Sequence, residues 1–172
     1  MLNSEQFEVL DKDGKKTGKI LTRGLPLGKG EYMGVVTIIV INKNGEFLVT
    51  KRHPNKAPGL MWEVTGGGIL AYETPEHAAT RELREETGIN VAEGDLIKLE
   101  TLINDAFFCY QYLVVLKEEV SLKLAIDEVI DYKFLSYDCF FKFIKSDKFI
   151  SYIGDRISKV KDEITRRYNE KK

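Results

Sequence analysis

Three glutamates near the middle of the chain have the spacing of one helix face. Glu82, Glu85 and Glu86 stand at positions i, i+3 and i+4, so in a helix their carboxylates project from one side. That side overlaps the apolar stripe of the same segment, which comprises Ala78, Ala79 and Leu83. Crowded carboxylates on a partly buried face are costly unless a cation neutralises them. Because the donors are all oxygens, the pattern predicts a hard divalent ion, Mg²⁺ first and Mn²⁺ second. A solvated acidic face with Arg81 and Arg84 as ion partners is the alternative interpretation.

The residues around the glutamates predict the elements that position them. Thr74 is a typical N-cap, Pro75 suits the first helical position, and Gly88 is typical of a helix end. Upstream of this helix, the three glycines at 66–68 predict a loop whose backbone can approach a ligand closely.

The loop and the helix together resemble the signature of the Nudix hydrolase family. That signature reads G-x5-E-x7-R-E-U-x-E-E-x-G-U, where U is an aliphatic residue. Every fixed position is met, by Gly67, Glu73, Arg81, Glu82, Leu83, Glu85, Glu86, Gly88 and Ile89. The resemblance implies that the three helix glutamates bind the metal, with the Gly66 carbonyl as a fourth ligand. It also implies that Glu73 and Arg81 form a structural ion pair between loop and helix, with Gly67 and Gly88 as structural positions.

The same resemblance implies the chemistry. Nudix enzymes hydrolyse a nucleoside diphosphate linked to another group, and bound metal neutralises the diphosphate and activates water. Glu82 is one candidate for the general base, and Glu128, on a loop in the C-terminal part, is another. A solvated loop acid is an equal interpretation of Glu128.

Three cationic residues are candidates for binding the substrate phosphates. Arg52 ends a predicted strand next to the glycine loop, and Arg23 and Lys56 lie on loops. An exposed solubilising charge is the alternative for each of them.

Strands and helices alternate along the chain. The predicted strands are Phe7–Leu10, Thr17–Thr22, Gly34–Asn42, Glu46–Arg52, Met61–Thr65, Leu96–Asn104, Phe107–Lys117 and Asp131–Leu135. Asp138 is expected to cap a short helix, and an amphipathic helix is predicted from Ile150, Ile153, Ile157, Val160 and Ile164. This order predicts an α/β fold with a mixed sheet. The resemblance implies the Nudix α/β/α sandwich with an added N-terminal β-hairpin, as a single domain over residues 1–172.

Composition limits the partners that we expect. The net charge of −1 shows no basic excess, so we expect a small-molecule diphosphate substrate and no nucleic acid polymer. No apolar run approaches the length of a membrane span, and the first residues carry no secretion signal. Cys109 and Cys139 are interpreted as reduced core thiols of a cytoplasmic protein, a monomer or homodimer.

Segments outside the signature are similar to the isopentenyl-diphosphate-isomerase-like branch of the family. They read DKDGKKTGK, RG, EYMGVV, FLVTKR and MWEVTGG in order. Aligned on Glu73, the positions of the isomerase cysteine and of a metal-binding histidine hold Gly66 and Gly68 here. We therefore expect a Mg²⁺-dependent pyrophosphohydrolase that cleaves a nucleoside diphosphate derivative or a related organic pyrophosphate. An isomerase-like enzyme and a non-catalytic nucleotide-sensing module are the alternatives.

Overall fold

A computed structural model describes residues 5–104 and 106–170 of the chain. The domain predicted over residues 1–172 therefore extends beyond the described residues at both ends. The described strands are β1 (Gln6–Leu10), β2 (Lys16–Thr22), β3 (Met33–Ile41), β4 (Phe47–Arg52), β5 (Trp62–Glu63), β6 (Gly66–Gly68), β7 (Ile97–Lys98), β8 (Leu102–Ile103), β9 (Phe107–Val115) and β10 (Val129–Leu135). The described α-helices are α1 (Pro75–Thr87), α2 (Tyr137–Phe143), α3 (Ser151–Lys159) and α4 (Lys161–Asn169). None of these helices is both long and apolar enough to cross a membrane.

A mixed sheet with the strand order β10-β4-β3-β9-β7 forms the centre of the fold. β3 runs parallel to β9, from the pair Met33 and Phe107 to the pair Ile41 and Val115, and the other neighbours are antiparallel. The near-continuous β-branched sequence of β3 suits a central strand that is buried on both faces. Its first half also pairs antiparallel with β6, so the three glycines at 66–68 form a short strand of the sheet and the loop predicted there is wrong.

The N-terminal hairpin is a separate two-stranded sheet, as predicted. Its turn is stabilised by Asp11, whose Oδ1 accepts hydrogen bonds of 2.9 Å from the backbone N–H groups of Asp13 and Lys15. Leu10 and Tyr32 exchange two backbone hydrogen bonds of 2.9 Å, which join the hairpin to the residue before β3.

Helices cover both faces of the sheet, which confirms the predicted α/β/α arrangement. One core layer lies between α1 and the sheet and includes Val36, Ile38, Val40, Ala78, Ala79, Leu83 and Tyr112. The other layer lies between the sheet and α2, α3 and α4 and includes Ile39, Ile41, Phe47, Leu113, Phe140, Ile157 and Ile164. Apolar burial on both faces is the main stabilising contribution to such a fold.

The ends of α1 match the sequence prediction. Thr74 Oγ1 accepts a 3.1 Å hydrogen bond from the backbone N–H of His77, and Pro75 is the first helical residue. Gly88 ends the helix with φ +75°, and its N–H donates to the Arg84 carbonyl at 2.9 Å. Only glycine takes this backbone conformation without strain, so the helix stops at this position.

Several local predictions are wrong. The tail forms two helices, because Val160 has φ −102° and its N–H donates to the Ile157 carbonyl three residues back, which interrupts the α-helical ladder. The strand predicted over Leu96–Asn104 is divided into β7 and β8, which both pair with β9. The N-cap of α2 is Ser136 and not Asp138, which lies inside the helix. Cys109 is a buried free thiol, but Cys139 is exposed.

Tyr72 provides a test of backbone strain in the segment between β6 and α1. This residue has φ +68° and is 84% exposed, so its ring gains little from burial while its backbone occupies the left-handed region. Tyr72→Gly should raise the free energy of unfolding by about 1 kcal/mol, measured by urea denaturation. Tyr72→Ala removes the same ring but keeps a Cβ, and it should bring no gain. Equal effects of the two substitutions would show that the ring, not the backbone, determines the result.

Candidate active site

Arg81 joins the glycine segment to α1. Its Nε and Nη2 donate to the two carboxylate oxygens of Glu73 at 2.8 and 3.0 Å, and Nη2 also donates to the Gly68 carbonyl at 3.0 Å. The backbone N–H of Leu70 donates to the same carboxylate at 2.9 Å. Burial alone would raise the pKa of Glu73, but the hydrogen bonds from Arg81 and Leu70 outweigh it and lower the pKa. This largely buried pair therefore holds the segment before α1 and the helix together while both partners stay charged.

Glycine at positions 66 and 67 permits a close approach of the backbone to its neighbours. A Cβ at Gly67 would lie 2.2 Å from Glu82 Oε1, so any side chain would displace that carboxylate. A Cβ at Gly66 would lie 2.4 Å from the Val36 carbonyl oxygen, across the pairing of β6 with β3. Glycine therefore allows this segment to lie close to the backbone of β3 and to the Glu82 carboxylate.

The three helix glutamates differ in burial. Glu86 is 2% exposed and points into the protein, Glu82 is partly buried, and the Glu85 side chain is 52% exposed. The spacing correctly places them on one side of the helix, but that side runs from the core to the solvent.

Two cations lie between these carboxylates. Arg81 Nη1 donates to Glu82 Oε1 at 2.8 Å and to Glu85 Oε2 at 3.1 Å. Lys56 Nζ lies 3.4 Å from Glu86 Oε1 and 2.7 Å from Glu128 Oε2. Among residues 5–104 and 106–170, no three acidic, histidine or cysteine side chains stand close enough together to hold a metal ion as they are. The predicted ligands are therefore near one another but are not preassembled.

Lys56 is the cation that neutralises Glu86. Although burial lowers the pKa of Lys56, the nearby charges of Glu86 and Glu128 outweigh that effect and raise it. The loop that carries Lys56 lies between β4 and β5, and the His53 N–H donates to the Glu128 carbonyl at 2.8 Å. This contact brings Glu128, which precedes β10, to the same side as the helix carboxylates.

Glu63 is a buried carboxylate that the sequence analysis missed. It follows Trp62 in β5, and its two oxygens accept hydrogen bonds of 3.0 and 2.9 Å from Arg52 Nη1. Burial raises the pKa of Glu63, and the Arg52 charge only partly offsets this. In the sequence, Glu63 is a single acid within the segment MWEVTGG. The apolar pattern of that segment predicts a strand but assigns no role to the acid.

Negative charge exceeds positive charge in this cluster. Its carboxylates belong to Glu63, Glu82, Glu85, Glu86 and Glu128, and its cations are Arg52, Lys56 and Arg81. Burial and the neighbouring carboxylates of Glu63, Glu82 and Glu128 raise the pKa of Glu86 to about 8, although Lys56 opposes this shift. Glu86 Oε2 is buried and has no hydrogen-bond partner among the described residues. An unpartnered buried oxygen within an excess of carboxylates fits a hard divalent cation.

A cavity of about 400 Å³ lies beside the glycine segment. Its walls include β3, β6 and α3, and its charged and aromatic lining residues are Arg23, Arg52, Glu63, Phe107, Tyr152 and Arg156. Pockets of this size accept small organic ligands. Phe107, Tyr152 and Arg156 were not identified from the sequence, because nothing in their spacing links them to the glycine loop.

The three predicted phosphate-binding cations have different surroundings. Arg23 lines the cavity and forms an ion pair with Glu5. Arg52 also lines it, but its guanidinium donates to Glu63 and to the carbonyls of Pro58 and Ala57 at 2.8 and 3.3 Å. Lys56 pairs with the carboxylates and does not line the cavity.

The fold and the sequence match a known family. The family model described as the NUDIX domain matches residues 31–152. Over 152 residues the chain is 30% identical to an uncharacterized Nudix hydrolase of Listeria monocytogenes, covering 86% of this chain and 89% of that protein. The chain therefore belongs to the Nudix hydrolase family.

The chain is also similar to a solved structure and to a named diphosphatase. The crystal structure of a Deinococcus radiodurans protein has the same fold, with a TM-score of 0.73 at 18% identity over 92% of this chain and 98% of that one. The 8-oxo-dGTP diphosphatase of Proteus vulgaris is 36% identical over 67 residues, which are 39% of this chain and 58% of that enzyme.

Lys56→Gln tests the cation next to Glu86. In the presence of a chelator, the substitution should lower the free energy of unfolding by about 1–2 kcal/mol, because it leaves the buried carboxylate without its counter-charge. Lys43→Gln is the matched control, since Lys43 pairs with the exposed Glu119, and it should change stability by less than about 0.5 kcal/mol. Urea denaturation of the three proteins measures both values. Equal losses would mean that the Lys56 contact is an ordinary surface ion pair.

Proposed function

We propose that this protein is a Mg²⁺-dependent pyrophosphohydrolase that cleaves a diphosphate linkage in a nucleoside diphosphate derivative or a related organic pyrophosphate, and that Mn²⁺ can replace Mg²⁺. The single observation that carries the proposal is the buried Glu86 Oε2, which has no hydrogen-bond partner among the described residues and lies within an excess of carboxylates. Burying such a group is costly unless a cation binds it in the working enzyme. The diphosphatase activity named for the Proteus vulgaris relative agrees with this reaction.

The metal ligands that we propose are the carboxylates of Glu82, Glu85 and Glu86 and the Gly66 carbonyl. Bound there, Mg²⁺ would neutralise diphosphate charge and supply the Lewis acidity that makes water a nucleophile at neutral pH. Arg81 keeps Glu82 and Glu85 oriented while it holds the glycine segment through Gly68.

Glu128 and Lys56 have linked roles in the proposal. Glu128 is about half exposed and lies 2.7 Å from Lys56 Nζ, so its carboxylate can accept a proton from water once the ammonium moves away. The released Lys56 ammonium can then contact the diphosphate. Arg23 and Arg52, which line the cavity, add positive charge where the substrate enters.

The thiols do not favour the isomerase alternative. Cys109 is buried, its Sγ contacts Thr37 Oγ1 at 3.4 Å, and burial raises its pKa, which disfavours the thiolate. Neither Cys109 nor the exposed Cys139 lines the cavity beside the glycine segment. The free thiols are compatible with the cytoplasmic location that we propose.

Glu86→Gln tests the reaction. On a panel of nucleoside diphosphate derivatives with Mg²⁺, the substitution should lower kcat at least about a hundredfold, because it removes a buried anionic ligand at the reaction centre. Glu119→Gln, at an exposed residue outside the site, should keep wild-type kcat. Phosphate release after phosphatase treatment measures the rates. Wild-type turnover by Glu86→Gln would exclude this site, and conversion of isopentenyl diphosphate to its dimethylallyl isomer would favour the alternative function.

Metal binding should also appear as stability. At a hundred times its dissociation constant, Mg²⁺ should raise the free energy of unfolding of the wild type by about 2.7 kcal/mol, because it binds the folded site and hardly the unfolded chain. Glu86→Gln should be at least as stable as the wild type in chelator but gain less from Mg²⁺. Melting curves with chelator and with Mg²⁺ provide the comparison. An equal gain in both proteins would place the ion elsewhere.

A further inference from the structure

Three of the residues that line the cavity carry guanidinium groups and one carries a carboxylate, so the lining has an excess of positive charge. Two of the guanidinium groups have acidic partners, since Arg23 pairs with Glu5 and Arg52 pairs with Glu63. Arg156 has no acidic partner among residues 5–104 and 106–170. It is therefore the lining cation whose charge is not balanced within the described structure.

The side chain of Arg156 is held in place by its neighbours. Its guanidinium carbon lies 5.3 Å from the centre of the Tyr152 ring, which is a cation–π distance. The guanidinium also interacts with the Cys109 thiol, which is a neutral partner. A cation–π contact orients an arginine without neutralising its charge.

The helix that carries Arg156 is firmly seated. Ile153 and Ile157 of α3 are buried, and a Cβ at Gly154 would lie 2.2 Å from the Ile144 carbonyl oxygen. α3 therefore lies close to the segment after α2. A residue on such an element is held more precisely than one on a loop.

We propose that Arg156 binds a phosphate-type anionic group of the substrate inside the cavity, and that Tyr152 positions its guanidinium for that contact. The planar guanidinium suits phosphate because it can donate two parallel hydrogen bonds. The nature of the ligand, a phosphorylated organic compound, rests on the proposed function. Both residues lie on α3 and line the cavity that the glycine segment also lines.

A binding measurement without metal tests this assignment. Adenosine 5′-monophosphate serves as the phosphate probe and adenosine as its uncharged counterpart, with chelator present and calorimetry or ligand-observed magnetic resonance as the readout. R156Q should weaken binding of the monophosphate at least about tenfold, the scale of a hydrogen-bonded charge pair, and leave adenosine binding unchanged. R156K keeps the charge without the planar fork, so it should fall between R156Q and the wild type.

Lys159→Gln is the matched control. Lys159 lies on the same helix and carries the same charge, but it does not line the cavity beside the glycine segment. The affinity of this variant for the monophosphate should lie within about twofold of the wild-type affinity. That result would distinguish a direct contact with Arg156 from a general effect of the positive charge on α3. Melting temperatures of all the variants verify that they are folded.

Several results would overturn the assignment. These are an unchanged monophosphate affinity in R156Q, an equal loss in Lys159→Gln, an equal loss for adenosine, and no monophosphate binding by the wild type. Since the measurement needs neither metal nor turnover, its outcome is independent of the hydrolysis test with Glu86→Gln. In the hydrolysis assay, R156Q should raise KM and change kcat little, because the contact lies away from the reacting atoms.

Discussion

The contact of Arg81 with Glu73 and the Gly68 carbonyl is the interaction on which the site depends. These hydrogen bonds connect α1 to the glycine segment and to Glu73, and they fix where that segment lies relative to the helix. The same guanidinium also donates hydrogen bonds from Nη1 to Glu82 and Glu85, so it contacts both the segment before α1 and the helix carboxylates. Without this residue, the carboxylates of Glu73, Glu82 and Glu85 would lose a shared hydrogen-bond donor.

Charge burial is the cost of this arrangement. The α1 layer of the core is apolar around Ala78, Ala79 and Leu83, yet Glu86 reaches into the same helix face. Among residues 5–104 and 106–170, only Lys56 lies close enough to Glu86 for an ion pair, at a separation of 3.4 Å, and burial raises the pKa of the carboxyl. A buried carboxylate of this kind lowers the stability of the folded protein, and the cation that we propose would offset that cost.

The two faces of the central sheet carry different charged groups. α1 presents carboxylates beside β6 on one side, whereas α3 presents Arg156 and Tyr152 to the cavity on the other. β3 connects the two sides, since it pairs with the glycine segment and also contributes to the cavity wall. In the two proposals, the carboxylates of α1 would hold a metal ion and Arg156 would bind a phosphate group of the substrate.

The sequence by itself determined the elements whose cause is local. The cap at Thr74, the stop at Gly88, the spacing of the three glutamates and the hairpin turn at Asp11 depend on residues within a few positions of one another, and the structure has all of them. Periodicity also identified the buried stripe of α1, because a helix repeats its faces every three to four residues. The break at Val160 escaped that reasoning, since the apolar spacing continues across it.

Only the tertiary structure decided which charges meet. Arg52 pairs with Glu63, Lys56 approaches Glu86 from 30 positions away, and Arg156 reaches the cavity from the tail. These pairings depend on the order of the strands and on how loops return to the sheet, and no spacing in the chain records either. Long-range Coulomb contacts and burial are properties of the folded arrangement, so the sequence could name the ionisable residues but not their partners or their pKa values.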